Sequence, residues 1–375
     1  MKKMKAHGPV ALYIHIPFCQ KKCFFCSFAM CIAKHEHIED YLEALSMEAK
    51  RYGPRTVETV YIGGGTPTLL DEAQLKKLDV LIKRNFKVNP RHEYTIETNP
   101  DTMDLSKAKL LRQLGFNRVS IGAQSFHDPF LKFLGRTHTA ADIKTCFTLL
   151  RKAGFLNINL DLMFGFPEQS LRQLKKDLGI AMSLKSEHLS VYNLSIEEKS
   201  MFHRLKVALP ADEHMALFYR TLIKDLGAKG FHQYEISNFA KPHKESAHNI
   251  LYWQCRNYIG LGMGAHSHID GKRFWNKATL LAYIKSVRVK GHAREGDETL
   301  SSRQRLTEAL LFGLRMNKGI CLDELEARFG SRVSMRQKKE IVRFVDHGFL
   351  TQDKVFSATT LKGRLVLDEL CGYLI

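Results

Sequence analysis

The 375-residue chain has no run of about 18 consecutive apolar residues, so no transmembrane helix is expected. Its first residues, Met1-Lys-Lys-Met-Lys-Ala-His-Gly-Pro9, lack the long apolar core of a secretory signal, which makes a cytosolic protein the expectation. Neither an internal repeat nor a low-complexity tract stands out. With 44% hydrophobic and 26% charged residues, the composition excludes wholesale disorder and collagen-like structure. The eight cysteines are too few for a disulfide scaffold, and in a cytosolic chain they read as reduced thiols or metal ligands.

Basic residues outnumber acidic ones by 57 to 39, a net charge of +18. Such an excess attracts nucleic acid, anionic lipid or acidic ligands alike. It is spread along the chain, and its densest cluster, Arg336-Gln-Lys-Lys339, is brief. With no clustered basic face in view, nucleic acid is not the expected partner.

From Leu12 to about Leu194, short apolar or β-branched runs alternate with helical patterns. The expected strands are Ala11–Ile16, Val57–Ile62, Tyr94–Glu97, Arg118–Gly122, Asn157–Leu162 and Leu189–Asn193. Ile38, Tyr41, Leu42, Leu45 and Ala49 recur at helical spacing after the first strand, and Leu75, Leu78, Leu81 and Ile82 do so after the second. Later helices close at Gly115 and Gly154. Sequential βα units favour a parallel α/β sheet or barrel, with ligands at the C-terminal ends of the strands. Past residue 200 the pattern changes. A helix is expected over Asp212–Leu226, a Gly-rich loop over Gly260–Gly264 and a polar linker over Gly291–Ser302. A helical tail follows, with helices at Arg303–Met316, Leu322–Phe329 and Arg336–His347 and a small strand at Val355–Thr359.

Cys19-Gln-Lys-Lys-Cys23-Phe-Phe-Cys26 follows the first strand. Structural zinc prefers four closed ligands, and although Cys31 could be a fourth, no second pair follows. A [4Fe–4S] cluster on three thiolates fits better, and leaves one iron open to a ligand. Gly63-Gly-Gly-Thr-Pro-Thr68 ends the second strand, with more glycine than a tight turn needs, which allows close backbone approach to a ligand. Polar residues recur at or just beyond later strand ends: Glu97, Gln124, Arg136 and Asp161.

CxxxCxxC after the first strand, with Gly-Gly-Gly-Thr-Pro after the second, resembles the radical S-adenosylmethionine enzymes. In that family the open iron chelates the amino and carboxylate groups of the cofactor. The segments Tyr13-Ile-His-Ile-Pro-Phe-Cys19, Gly63–Thr68, Ser120-Ile-Gly-Ala-Gln-Ser-Phe126 and Asn159-Leu-Asp-Leu-Met-Phe-Gly-Phe-Pro167 narrow the resemblance to the oxygen-independent coproporphyrinogen III oxidase-like group, over almost the whole chain. The resemblance implies a partial (β/α)6 TIM-type barrel, an α/β fold, over 8–240. An extension and linker over 241–299 and a small mainly helical domain over 300–375 would follow it. It assigns Cys19, Cys23 and Cys26 to the cluster. It assigns Tyr13, Phe25, Gly64, Gly65, Thr66, Glu97, Gln124, Arg136 and Asp161 to S-adenosylmethionine, with the carboxylates facing ribose and Arg136 the cofactor carboxylate.

The group holds oxidases that decarboxylate coproporphyrinogen III and chaperones that bind haem and deliver it to haemoproteins. Phe28 stands where the oxidase usually has a further cysteine, and only twelve residues precede Tyr13, where the oxidase has a longer arm. His248-Asn-Ile-Leu-Tyr-Trp253 matches the HNxxYW motif of the chaperone branch, which implies His248 as a haem-iron ligand. His15, His266 and His268 are weaker candidates. Ser27 departs from the aspartate common in that branch. The expectation is therefore a haem chaperone binding haem or porphyrin, with haemoprotein clients. It would work in the cytoplasm or peripherally at an anionic membrane, with cluster-dependent homodimerisation implied by the resemblance. The alternative is a coproporphyrinogen III oxidase.

Overall fold

The computed structural model describes residues 10–353 and 356–375, and only the backbone of residues 90–92. The segment read above for a secretory signal, the first residues of the expected barrel domain and Val355 lie outside the described residues.

Six parallel strands run side by side in chain order: Val10–Ile16, Arg55–Gly64, Phe86–Thr98, Arg118–Gln124, Ile158–Phe164 and His188–Asn193. They are called the first to sixth strands below. Their registers make alternation legible. Leu12 faces Val60, Ile14 faces Ile62, Ile96 faces Val119 and Ile121 faces Leu160, forming the apolar side that packs in the main core with Leu45, Leu78, Leu111 and Leu150 of the helices. The intervening positions form the other face. Tyr13 pairs with Tyr61, Tyr61 with Thr95, and Glu97 with Ser120. Ser120 pairs with Asn159, Asn159 with His188, and Asp161 with Ser190. This concave face is polar and hydrogen-bonded, not filled with aliphatic side chains. The partial barrel expected from the sequence is what is found, and it is open.

The sheet has twelve strands because both ends of the barrel continue. Asn238–Ala240 pairs antiparallel with the sixth strand, and Asn257–Leu261 pairs parallel with the first. Here the structure departs from expectation. The Gly-rich stretch begins as a strand, and Gly260 is there because a Cβ would lie 2.0 Å from the carbonyl oxygen of His266 on the neighbouring strand. The linker expected over Gly291–Ser302 contains an edge strand, Arg294–Thr299, paired with Lys272–Asn276. Its run Arg-Glu-Gly-Asp-Glu-Thr reads as a linker because it is charged throughout, but charge is also what keeps an exposed edge from pairing further. The helix expected to end at Gly154 is two, Asp128–Phe133 and Ala140–Lys152. Among the described residues no helix is long and apolar enough to cross a membrane.

The tail has its own core of Leu310, Leu314, Ile341, Phe344, Leu350, Leu370 and Leu374. Ser301 and Ser334 start two of its helices with capping boxes to Gln304 and Gln337. Two short helices near the C-terminus, Leu361–Arg364 and Leu367–Leu374, complete it. The tail is joined to the barrel by Arg328, which donates to the carbonyls of Gln254 and Cys255, and by the amide of Asn317, which donates to Tyr234 O.

Glu48, 1% exposed, fastens the sheet extension to the helix His35–Ala49. Its carboxyl accepts from the amide of Gly262 at 2.9 Å, Asn276 Nδ2 at 2.7 Å and the Tyr283 hydroxyl at 2.7 Å. Removing it leaves these donors buried without that acceptor, at about 1–3 kcal/mol each when fully unsatisfied. Glu48→Ala is therefore expected to lower unfolding free energy by about 3 kcal/mol or more, with Glu48→Gln milder, as read from denaturation midpoints.

Candidate functional site

The three cysteines of the CxxxCxxC run lie in the segment after the first strand, which is held at its middle by Phe24. The amide of Phe24 donates to Leu134 O, and that of Phe202 donates to Phe24 O. The Phe24 ring lies against Gly135, where a Cβ would fall 3.0 Å away. Phe25, half-buried, packs with Leu134, Met163, Phe166 and Phe202 instead of facing solvent.

The three thiols are close together: a thiolate on Cys26 or Cys23 would raise the pKa of Cys19, and one on Cys23 that of Cys26, with burial the larger cause for both. Burial pushes the Cys19 thiol up to about 11 and raises that of Cys26. The environment includes compensating donors. Thr66 Oγ1 donates to Cys19 Sγ at 3.8 Å, and Arg136 donates to Cys23 Sγ at 3.5 Å. Among the described residues no group of three or more Cys, His, Asp or Glu side chains is arranged to hold a single metal ion. A four-iron cluster takes each thiolate on a different iron, so it asks for separated thiols around one space. Three thiols that lie close together without converging on one metal position, beside hydrogen-bond donors, fit that group. Cys31 pairs with Phe18 across the two short strands Phe18–Cys19 and Cys31–Ile32, and differs from the other three in packing against the main core near Tyr41.

Each glycine of the Gly63–Gly65 run meets a different site residue. A Cβ on Gly63 would fall 2.8 Å from the Glu97 carboxyl, one on Gly64 2.5 Å from the His15 ring and one on Gly65 3.0 Å from Cys19 Sγ. Gly64 also has φ +113°. Its amide donates to Glu97 Oε2 at 3.0 Å, and the Tyr61 hydroxyl donates to Glu97 Oε1 at 2.7 Å. Burial still dominates and pushes the Glu97 carboxyl up to about 7. Asp161, also raised by burial, accepts from Ser120 and Asn159. Gln124 has φ +67° after a bulge in the fourth strand and accepts from the Tyr192 hydroxyl. Tyr13 bonds His15 Nδ1 at 2.9 Å and stacks at 6.3 Å on Tyr61.

Sequence reasoning missed the residue that ties this set together. Asn99 donates to Thr66 Oγ1 at 3.0 Å and accepts from Arg136 at 2.6 Å. It stands in the same Glu97-Thr-Asn-Pro segment as the chosen Glu97, where an amide just past a strand end is the only signal. Arg136 also donates to Gly122 O at 2.8 Å, and its Nε has no partner among the described residues. A buried, uncommitted guanidinium donor beside the cysteines suits a carboxylate ligand.

His248 is placed elsewhere. The helix Ala247–Trp253 stands at the N-terminal end of the strands, where Glu93 accepts from the Ser246 hydroxyl and the Ala247 amide. The imidazole is 1% exposed, and shares hydrogen bonds with Thr59 Oγ1 at 2.8 Å and the Tyr252 hydroxyl at 2.9 Å. Burial lowers its pKa to about 3, so it is neutral, with both ring nitrogens engaged. The motif thus builds the barrel floor, and its histidine is not brought to the cysteines. His266 and His268 lie on the strand His266–Ile269 of the sheet extension, and His15 is a wall residue bonded to Tyr13 and Ala29 O.

Residues 13–179 match the radical SAM superfamily, and residues 300–366 match the HemN C-terminal domain. The chain is 36% identical to the haem chaperone HemW of Bacillus subtilis, over 96% of this chain and 97% of that protein. It is 32% identical to that of Escherichia coli, over 96% and 97%. Among solved structures, the coproporphyrinogen III oxidase HemN of Escherichia coli, a radical SAM enzyme, matches with a TM-score of 0.87 and 26% identity, over 98% of this chain and 90% of that one.

Replacing Cys19, Cys23 or Cys26 by Ala is expected to abolish iron incorporation on anaerobic reconstitution, while Cys31→Ala retains it. Equal loss in Cys31→Ala would establish a four-cysteine site. A second prediction concerns Glu97. Its folded pKa near 7 exceeds the ordinary 4.5, so the stability it lends is full below about 4.5 and is lost as pH rises through 7. Relative to Glu97→Gln, the cofactor-free native chain should lose up to about 3 kcal/mol between pH 4.5 and 8. Urea midpoints that track each other across that range would show a normal carboxyl.

Proposed function

The chain belongs to the radical SAM superfamily, in the coproporphyrinogen III oxidase-like group and its HemW-like branch, and on that premise we propose that it binds haem and delivers it to haem-requiring proteins. The observation that carries this reading is the full-length similarity to HemW proteins, at 36% identity to one of them. The cysteine loop supports it too: Phe28, 66% exposed, fills the position where an oxidase would be expected to present a further thiol.

In this reading Cys19, Cys23 and Cys26 hold a [4Fe–4S] cluster. Arg136, with its free Nε, takes the carboxylate of S-adenosylmethionine. The Gly64–Thr66 segment lines its amino end, Glu97 and Asp161 take ribose hydroxyls, and Tyr13, Phe25 and Gln124 complete the enclosure. When bound, the cluster supplies one-electron chemistry to the sulfonium. The chain's own contribution is a pre-arranged mouth: Asn99 orients Arg136 and Thr66 together, and three glycines let Glu97, His15 and Cys19 approach the backbone. Coordination of haem iron by His248 would require it to leave Thr59 or Tyr252. The net charge of +18 supports clients at an anionic membrane surface.

The HemN likeness, at a TM-score of 0.87, favours a second reading, radical decarboxylation of coproporphyrinogen III. Anaerobic reconstitution separates the two. Stoichiometric haem retention, with no protoporphyrinogen formed from coproporphyrinogen III, S-adenosylmethionine and reductant, is the expected outcome. Protoporphyrinogen formation would make the chain an oxidase.

A further inference from the structure

Guanidiniums gather where the sheet extension meets the tail, at the end of the helix Ala247–Trp253. Arg256 follows that helix, and Arg273 lies on the strand Lys272–Asn276. Arg305 comes from the tail helix Ser302–Arg315 and Arg328 from Leu322–Phe329. Their charges act on common neighbours. His268, 8% exposed, has its pKa lowered to about 4 by burial and then by Arg305, Arg273 and Arg328. Burial lowers that of Arg328, and the repulsion of Arg256 and Arg305 adds to it.

Carboxylates do not match these charges. Glu298 and Glu308 are both taken by Arg273, at 2.7 and 2.9 Å. Asp270 accepts from Asn257 Nδ2 at 2.8 Å. Arg256, Arg305 and Arg328 have no ion pair among the described residues. Arg328 donates to the carbonyls of Gln254 and Cys255, and it shares the Phe329 ring with Arg305, at 4.6 and 5.2 Å. Two buried polar atoms of the cluster, Arg305 Nε and His268 Nε2, have no partner among the described residues. Crowded guanidiniums without a counter-ion suit a ligand bearing carboxylates, which they can grip through paired hydrogen bonds.

The cluster is tied to the HNxxYW helix in two ways. Arg328 bonds the carbonyls just past the helix end. A row of rings also leads back to its histidine: His268 lies 6.1 Å from Tyr258, Tyr258 4.7 Å from Tyr252, and Tyr252 4.8 Å from His248. Tyr252 and Tyr258 are half-buried. Seven residues of helix span about 10 Å. That is comparable with the reach from the centre of a porphyrin to the ends of its propionate arms.

We propose that Arg256, Arg305 and Arg328 form a carboxylate clamp for the propionates of haem, with the macrocycle toward Tyr252 and Tyr258 and the iron toward His248. The assignment rests on the haem-chaperone reading. It gives the far edge of the cargo an anchor that the motif does not contain, and it makes the tail part of the haem site.

The test is absorbance titration of the full chain with haemin and with haemin dimethyl ester, whose propionates carry no charge. The unaltered chain is compared with Arg256→Gln, Arg305→Gln and Lys339→Gln, the last an exposed basic residue of the tail outside the cluster. Arg328 is kept, because it joins the tail to the barrel. The unaltered chain should bind the ester more weakly than haemin. Loss of a charged hydrogen bond predicts about tenfold weaker haemin binding in each cluster variant, with ester binding unaltered. Lys339→Gln should bind both ligands as the unaltered chain does. Unaltered haemin affinity in both cluster variants overturns the proposal. So does equal loss of the two ligands, which a disturbed tail would give, or an equal haemin loss in Lys339→Gln. In each of these cases haemin binding by the unaltered chain leaves the chaperone reading standing. Absence of haemin binding by the unaltered chain overturns both.

Discussion

The candidate site depends on one steric constraint: the backbone after the second strand has to pass within van der Waals contact of three side chains at once. Gly63 lies against Glu97, Gly64 against His15 and Gly65 against Cys19, and any Cβ there would collide. Because that backbone is bare, its amide can donate to Glu97 and Thr66 can reach the cysteine loop. From Thr66 the connection runs through Asn99 to Arg136, and from Arg136 back to Cys23. The loop that carries the thiols has little regular structure of its own. It is positioned by these contacts, and by Phe24 and Phe25 packing below it.

The concave face of the sheet obeys a second rule, that buried polar groups must find partners. From floor to mouth the partners are supplied by neighbouring strands. His188 bonds Asn159 and Tyr234, Asn159 bonds Ser120 and Asp161, and Tyr61 bonds Glu97. His248 closes this arrangement from beneath through Thr59. The HNxxYW motif is thereby as much a piece of barrel architecture as a ligand motif. Its Trp253 continues outward to Arg315 of the tail, so one short helix touches the barrel floor and the second domain.

Much of this was legible beforehand, for physical reasons. Strands buried on their outer face declare themselves by alternation, and Cys19, Cys23 and Cys26 declare themselves by spacing. Glu97, Gln124, Arg136 and Asp161 were visible because polar residues at strand ends are conspicuous. Asn99 was not, since a lone amide before proline looks like a turn. The strand Asn257–Leu261 was hidden by Gly260, which reads as a loop residue until the neighbouring carbonyl is seen. Arg294–Thr299 was hidden by its charge. The guanidinium cluster at the tail had no sequence signal, because Arg256, Arg305 and Arg328 lie on separate segments and are ordinary in their local context.

The strands flanking the barrel have a topological consequence. To close the ring, the outer edge of the first strand would have to bond the outer edge of the sixth. Both edges are already taken, one by Asn257–Leu261 and the other by Asn238–Ala240. The gap in the ring is therefore permanent. It needs no lid movement to exist, because no strand has to release its neighbour to keep it open.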